Sequence, residues 1–262
     1  MKKYYVLSDI HSYYTQMINE LNRKGFDIAN DEHILVICGD LFDRGDESKE
    51  VYDFIKSIPL NRRILIRGNH EYLFIDLLNK SIPDSYDHSN GTVKTFNDLT
   101  NNKYYNWCDL THDKTLQEIK NWFLSDEWID YYETDKYIFT HAFIPLIIDD
   151  DAEYAHMYRA SISDLSYKEK WRESTQKEFE NATWGCPWKL AKAGLNKTNK
   201  IIVCGHWHTS DFFNNLKSLK KKYSVYENNP IFISKKYKLI GLDACTAATN
   251  KVNILVLSED EL

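Results

Sequence analysis

Read for its apolar and polar positions, the first quarter of the chain alternates between two rhythms. Lys3 to Ser8, His33 to Cys38 and Arg63 to Arg67 are short apolar runs and predict strands. Between them, Tyr13 to Gly25 carries Met17, Ile18 and Leu21 at helical spacing and stops at a glycine. Ser48 to Ile58 likewise places Val51, Phe54 and Ile55 on one helical face. Such alternation predicts an α/β sheet covered by helices. The rhythm stops at Tyr72. From there to about Asp135, helical windows at Leu73 to Leu78 and Leu116 to Leu124 flank a polar stretch through Pro83, Asn90 and Gly91. This predicts a helical insertion over 72–135 that caps the sheet edge. Strands return at Tyr137 to Thr140 and, after a second largely helical insertion over 143–200, at Ile201 to Cys204. Leu239 to Leu242 and Val252 to Leu257 close the chain. No repeat and no linker composition divides the sequence, so one domain over 1–262 is expected.

Composition narrows the class. Hydrophobic content of 43% with 27% charged residues is that of a soluble globular protein. The N-terminus passes from Met1-Lys2-Lys3 directly into a short strand, too brief an apolar stretch for a signal peptide or membrane span, so a cytoplasmic protein is expected. Five cysteines without a CxxC pair agree with a reducing compartment, and Cys38 and Cys204 read as buried strand residues. A net charge of -6 argues against a nucleic-acid binder, although it leaves a phosphate-bearing substrate open. The 18 tyrosines read as compositional bias, and the basic run Lys217 to Lys222 as a solvated face.

Chemistry enters at the strand ends. Polar clusters follow the strands in order: Asp9-Ile10-His11, then Gly39-Asp40-Leu41-Phe42-Asp43-Arg44-Gly45, then Gly68-Asn69-His70-Glu71, then His141, then Gly205-His206-Trp207-His208. Active sites of open α/β sheets form at that edge. Carboxylates crowded at a strand end repel each other unless a cation sits between them. Together the clusters hold enough nitrogen and oxygen donors for two metals, and mixed imidazole, carboxylate and amide ligands suit Mn, Fe or Zn better than Ca or Mg. A structural zinc site would be rich in cysteine. Arg44, four residues after Asp40, offers a planar fork suited to phosphate oxygens.

These clusters resemble the calcineurin-like metallophosphoesterases. Gly39 to Gly45 matches GDxxDRG and Arg67 to Glu71 matches RGNHE, so the pattern is similar to bacterial and phage phosphoprotein phosphatases and to symmetrical dinucleoside tetraphosphatases. The resemblance implies a four-layer α+β fold, a central mixed β sandwich flanked by helices. It implies that Asp9, His11 and Asp40 hold a first metal, with Asp40 bridging, that Asn69, His141 and His206 hold a second, and that His208 joins the first. Two divalent ions, Mn foremost, would then acidify a bridging water for in-line attack at phosphorus. Arg44, Arg67 and Asn69 would bind the phosphate, His70 would protonate the leaving alkoxide, and Asp43 would orient His70. Asp243 is the candidate partner of a metal-bound histidine. His33, His88, His112 and His156 lie outside any cluster and read as packing or solvent residues.

The chain departs from the family pattern in three places. Ser8 and Ser12 replace the glycines that normally flank the first ligands. Ala142-Phe143 replaces a glycine-rich step and is expected to bulk that turn and narrow access. Cys186, in Trp184-Gly185-Cys186-Pro187-Trp188, stands where relatives carry an arginine. The leading expectation is a phosphomonoesterase acting on phosphoserine or phosphothreonine in proteins. The alternative is a nucleotide hydrolase, cleaving a dinucleoside polyphosphate or a cyclic phosphodiester, which needs aromatic platforms for bases. Tyr104, Tyr105, Trp107, Trp184 and Trp188 are the candidates. A non-catalytic binding module would have no chemical need for the Asp43–His70 pair. Neither stable nucleic-acid binding nor membrane attachment is expected.

Overall fold

The computed structural model describes residues 1–262 apart from 104, 105, 150–156, 158, 159, 220, 221 and 228. The predicted candidates Tyr104, Tyr105 and His156 therefore lie outside the described residues. The chain opens with β1 (Lys3–Leu7), α1 (Tyr14–Arg23), β2 (His33–Cys38), α2 (Ser48–Ser57) and β3 (Arg63–Ile66), in the predicted order. The first helix stops where Gly25 turns to a left-handed φ of 81°, a conformation a residue without Cβ reaches at little cost. β1, β2 and β3 run parallel, with Val6 opposite Val36 and Ile37 opposite Leu65. Their two faces alternate with the strand period. Tyr5, Leu7, Leu35, Ile37 and Leu65 meet Met17, Leu21, Val51 and Ile55 of the helices, whereas Val6, Val36, Cys38 and Ile66 turn toward a second sheet.

After β3 come α3 (Asn69–Leu78), α4 (Ser85–Asn90), α5 (Thr92–Leu99), α6 (Trp107–Thr111) and α7 (Lys114–Phe123). The segment predicted as a helical insertion is helical to this point, but its end is not. β4 (Trp128–Ile129) pairs parallel with β3, and β5 (Tyr132–Glu133) pairs antiparallel with β6 (Tyr137–Phe139). The second stretch, predicted as largely helical, opens with a ribbon of β7 (Leu146–Ile148) against β8 (Leu165–Tyr167) before α8 (Gln176–Ala182) and α9 (Pro187–Lys192). β9 (Ile201–Cys204), α10 (Thr209–Leu216), β10 (Phe232–Ser234), β11 (Leu239–Gly241), α11 (Thr246–Thr249) and β12 (Leu255–Ser258) complete the order. Val252 and Ile254, part of the last predicted strand, pack into the helical side of the first sheet, and pairing with β1 starts only at Leu255.

The first sheet has the order β12-β1-β2-β3-β4 and the second β10-β11-β9-β6-β5. Both are mixed: β12 pairs antiparallel with β1, and β10 and β5 pair antiparallel at the two edges of the second sheet. Phe139, Val203, Ile240 and Leu242 meet Val6, Val36 and Ile66 between the sheets. On the far side, Ile138, Ile202 and Leu239 pack against Phe179, Leu190 and Phe212. The predicted β sandwich flanked by helices is thus the observed architecture. Among the described residues no helix is long and apolar enough to cross a membrane.

Candidate active site and metal centre

The turns that follow β1 and β2 are zipped to each other. Asp9 N–H donates to Gly39 O at 3.1 Å, His11 N–H to Asp40 O at 3.1 Å, Ser12 N–H to Leu41 O at 2.8 Å and Gly45 N–H to His11 O at 2.9 Å. To make these turns, Asp9, His11, Ser12, Asp40, Asp43 and Arg44 all adopt positive φ, as does His206 after β9. Left-handed backbone costs a residue with a Cβ roughly 1 kcal/mol, so the surroundings must hold it in place. Glu71 contributes most visibly: its carboxylate accepts from Asp40 N at 3.0 Å, Leu41 N at 2.9 Å and Gly68 N at 2.6 Å. Burial, with the charge of Asp40 adding to it, pushes the Glu71 carboxyl up to about 7. Glu71 closes the RGNHE motif, and tying these three N–H groups together is its visible task. Gly68 is required in the same turn, since a Cβ there would lie 2.2 Å from Asp40 Oδ1.

The side chains converge on Asp40. His141 Nε2 lies 3.4 Å from Asp40 Oδ1, His11 Nε2 3.7 Å and His70 Nε2 3.9 Å from Asp40 Oδ2, and His11 Nε2 3.9 Å from Asp9 Oδ1. His141 Nε2 is also 2.9 Å from Asn69 Oδ1 and 3.3 Å from His206 Nδ1. The Asp9 carboxylate receives the His206 N–H at 3.0 Å and is held by the Ser8 hydroxyl. Two donor groups result, His11 with Asp40 and His70, and Asp40 with His141 and His206, each with its ligand atoms within 4.8 Å of one another.

Which ring nitrogens face inward follows from the backbone. His11 Nδ1 meets Phe42 O at 2.9 Å and His141 Nδ1 meets Cys38 O at 2.8 Å. A carbonyl accepts only, so both Nδ1 atoms carry the proton and both Nε2 lone pairs point at the carboxylates. His11 Nε2 is buried without any hydrogen-bond partner. Lone pairs turned toward carboxylate and amide oxygens in a buried site are stable only around a cation, so the donors present fit two metal ions sharing Asp40, and their chemistry is nitrogen and oxygen without sulfur. The electrostatics agree. Burial pushes the His11 and His206 imidazoles well down, to the neutral form a ligand needs. Burial and then Asp243 and Asp40 push the Asp9 carboxyl up, a repulsion that a cation would relieve. Asp40 is held low despite its burial, because His141, His70 and His11 surround it.

His70, although its ring nitrogen falls within the first donor group, is arranged differently. Its Nδ1 bonds Asp43 Oδ2 at 2.6 Å, and its Nε2 lies 3.4 Å from Arg44 Nη2. Arg44 is exposed at the mouth of the site, whereas Arg67 is not presented as expected. Its Nε donates to Phe123 O at 3.0 Å, Nη1 to Asp130 Oδ1 at 3.2 Å and Nη2 to Ser125 O at 3.2 Å, so the end of the first insertion holds it. His208 sits half-exposed with Nε2 3.9 Å from Asp243 Oδ2. His33 is a packing residue, 5.0 Å from the Tyr5 ring, and His88 and His112 are exposed.

Both insertions reach the site, and two expectations about them change. Phe143 does not narrow access; it is buried in the helical side of the second sheet. Trp107 is no base platform, because it stacks on Phe96 at 5.8 Å and donates to Lys80 O at 3.0 Å. Trp184, half-buried, does lie beside the centre, its ring 6.0 Å from that of His206, and Trp188 packs against Trp207 at 6.4 Å. Cys186 is buried at the start of α9. Sequence reasoning missed Thr92 and Thr95 of α5, whose hydroxyls both bond Asp43.

A family model described as calcineurin-like phosphoesterase matches residues 2–210. The chain belongs to that family. Calcineurin-like phosphoesterases are a family of metal-dependent phosphoester hydrolases. A stretch of 73 residues is 34% identical to a symmetrical bis(5'-nucleosyl)-tetraphosphatase from Buchnera aphidicola, covering 28% of this chain and 25% of that relative's length. Among solved structures, a cold-active protein-tyrosine phosphatase of a psychrophilic Shewanella is 16% identical, with a TM-score of 0.57 over 99% of this chain and 76% of its own. A protein serine/threonine phosphatase from Saccharomyces cerevisiae is also 16% identical, with a TM-score of 0.50 over 92% of this chain and 66% of its own. At these identities the structures share the fold of the phosphoesterase.

Proposed function

We propose that this phosphoesterase hydrolyses phosphomonoesters, with phosphoserine and phosphothreonine in proteins as its substrates, as one cytoplasmic domain. The free state of all five cysteines supports that compartment. In this reading Asp9, His11, Asp40, Asn69, His141, His206 and His208 hold two Mn ions, Fe or Zn being chemically acceptable in the same donors. When bound, the ions supply charge neutralisation and an acidified water for in-line displacement at phosphorus. Asn69 and Arg44 bind the phosphoryl oxygens, and Arg67 steadies the turn that carries Asn69. His70 gives its Nε2 proton to the leaving alkoxide. Asp43 keeps the ring in place through Nδ1. Burial lowers the His70 pKa, but Asp40 and the bond to Asp43 outweigh it, and the net rise keeps the ring protonated further up the pH scale.

The observation that carries this reading is the His70–Asp43 pair at 2.6 Å with one exposed guanidinium, Arg44, beside it. One phosphoryl group is matched by one such fork, whereas a four-phosphate chain calls for further cations, and Arg67 is engaged elsewhere. A second reading, cleavage of a dinucleoside polyphosphate or cyclic nucleotide, is favoured by the half-buried Trp184 beside His206, a surface on which a base would stack. The deciding measurement is kcat/KM with Mn for a phosphothreonine peptide, diadenosine tetraphosphate and a 2′,3′-cyclic nucleotide under identical conditions. The peptide is expected to lead. A preference above about tenfold for either nucleotide, about 1.4 kcal/mol in transition-state binding, reverses the order.

A further inference from the structure

The segment between β3 and β4 does more than cover the site, because α5 grips the catalytic pair from behind. Thr92 Oγ1 donates to Asp43 Oδ2 at 2.7 Å and Thr95 Oγ1 to Asp43 Oδ1 at 2.7 Å. In return, the Asp43 N–H donates to Thr95 Oγ1 at 3.0 Å. Asp43, Thr92 and Thr95 are each at most 1% exposed, so water does not compete for these bonds. A carboxylate bonded only to His70 would keep its freedom to rotate about its own Cβ–Cγ bond. With a hydroxyl on each oxygen, Asp43 is left one orientation, and Oδ2 has a lone pair for His70 Nδ1.

The helix that carries the two threonines is itself fixed. Gly91, at φ 92°, precedes Thr92, and a Cβ on it would come 2.5 Å from Arg44 N, so α5 starts flush against the turn that bears Asp43 and Arg44. Thr92, Thr95, Phe96 and Leu99 make its buried face. Phe96 meets Phe74 of α3, the helix of His70, at 4.7 Å between ring centroids. One packed unit therefore locates both members of the pair.

We propose that Thr92 and Thr95 are positioning residues for the reaction: they fix Asp43 so that it holds His70 in the pose that delivers a proton to the leaving group. This rests on the acid role given to His70 above. Each hydroxyl spends its proton on Asp43, and they act only through it. The consequence is selective. A misplaced acid penalises esters whose leaving group needs the proton and spares those whose leaving group departs as a stable anion.

The test compares phenyl phosphate, a poor leaving group, with p-nitrophenyl phosphate, a good one, on the Mn-loaded full chain. Thr92→Val keeps the shape and removes the hydroxyl. It is expected to lower kcat on phenyl phosphate by about 10- to 100-fold, with KM within roughly twofold, and to lower kcat on p-nitrophenyl phosphate much less. Thr95→Val should behave alike. Thr92→Ser, which restores the donor, should return most of the rate. In a His70→Ala background the Thr92→Val change should have no further effect, since the residue it serves is gone. Equal losses on both esters, a full loss in Thr92→Ser, or an undiminished effect without His70 would each overturn the inference. Should a valine variant fail to fold, Thr92→Ser still decides, because a role of the hydroxyl predicts retained selectivity between the esters. If His70→Ala alone leaves the two esters equally affected, the acid reading falls; if it discriminates between them and Thr92→Val does not, only this inference falls.

Discussion

A single missing Cβ determines whether Asp9 can face the metal centre. A Cβ on Gly205 would lie 1.9 Å from Ser8 Oγ and 2.0 Å from Asp9 Oδ2, and neither atom can withdraw, as Ser8 also bonds Cys38 O at 2.9 Å and Asp9 also receives the His206 N–H. Ser8, which replaces a family glycine, therefore fills the room that Gly205 leaves. Gly205→Ala should push Asp9 out of place, at a stability cost of about 1–3 kcal/mol, and reduce retained Mn below two per chain after dialysis. Two tightly held Mn ions in that variant, measured by elemental analysis, would mean Asp9 is not a ligand. The proposed ligands were legible as a cluster in the sequence because each follows a strand within a few residues, and a strand end points its next residues at one place. Arg67, Phe143 and Trp107 were not. What Arg67 bonds is Asp130, which is 63 residues away in the chain, and nothing local to the RGNHE motif announces that partner.

At the scale of elements, the longer apolar strands were readable because burial on both faces writes continuous apolar runs. β4 and β5 were not, since a two-residue strand has no period. Trp128–Ile129 and Tyr132–Glu133 become strands because β3 and β6 already offer open edges. Thr92 and Thr95 left a faint trace, two hydroxyl residues on the face otherwise made by Phe96 and Leu99. β5 also carries the tie to the second insertion. Arg172 Nε donates to Glu133 at 2.7 Å and Lys200 Nζ lies 2.9 Å from it. The hydrogen bond from Arg172, with Lys200 adding and burial opposing, lowers the Glu133 carboxyl from 4.5 to about 2. A carboxyl whose folded pKa is depressed stabilises the fold fully above its unfolded value and loses that contribution as pH falls through the folded one. Glu133→Gln is expected to cost about 1 kcal/mol near pH 7, the pair being partly exposed. The gap in melting temperature between wild type and variant should close as pH drops from 4.5 toward 2. A gap that stays constant from pH 7 to pH 3 would show that the bridge is not what joins the insertion to β5.

For the whole molecule, the metal centre is where the two sheets meet. Asp9, His11, Asp40 and Asn69 follow strands of the first sheet, and His141 and His206 follow strands of the second. Without ions, the chain buries the Asp9 carboxylate beside the charges of Asp243 and Asp40, and it holds positive φ at residues that would relax on unfolding. Cations bound between the sheets offset both costs and favour the folded state by mass action. At a free Mn concentration about a hundred times the dissociation constant the gain is about 2.7 kcal/mol per site. In a chain of this size each kcal/mol moves the melting temperature by roughly 2–4 °C, so two Mn ions should raise it by about 10–20 °C over a chelated sample. His206→Ala removes a ligand from one sheet only, and the Mn-dependent rise should then shrink toward that of a one-metal chain. His70→Ala should leave the rise intact, because its ring is engaged by Asp43 and lies beside the Arg44 guanidinium, a poor place for a cation. A rise lost in His70→Ala would make His70 a ligand. No rise in a wild-type chain shown to contain Mn would remove the metals from the account of how the sandwich is held.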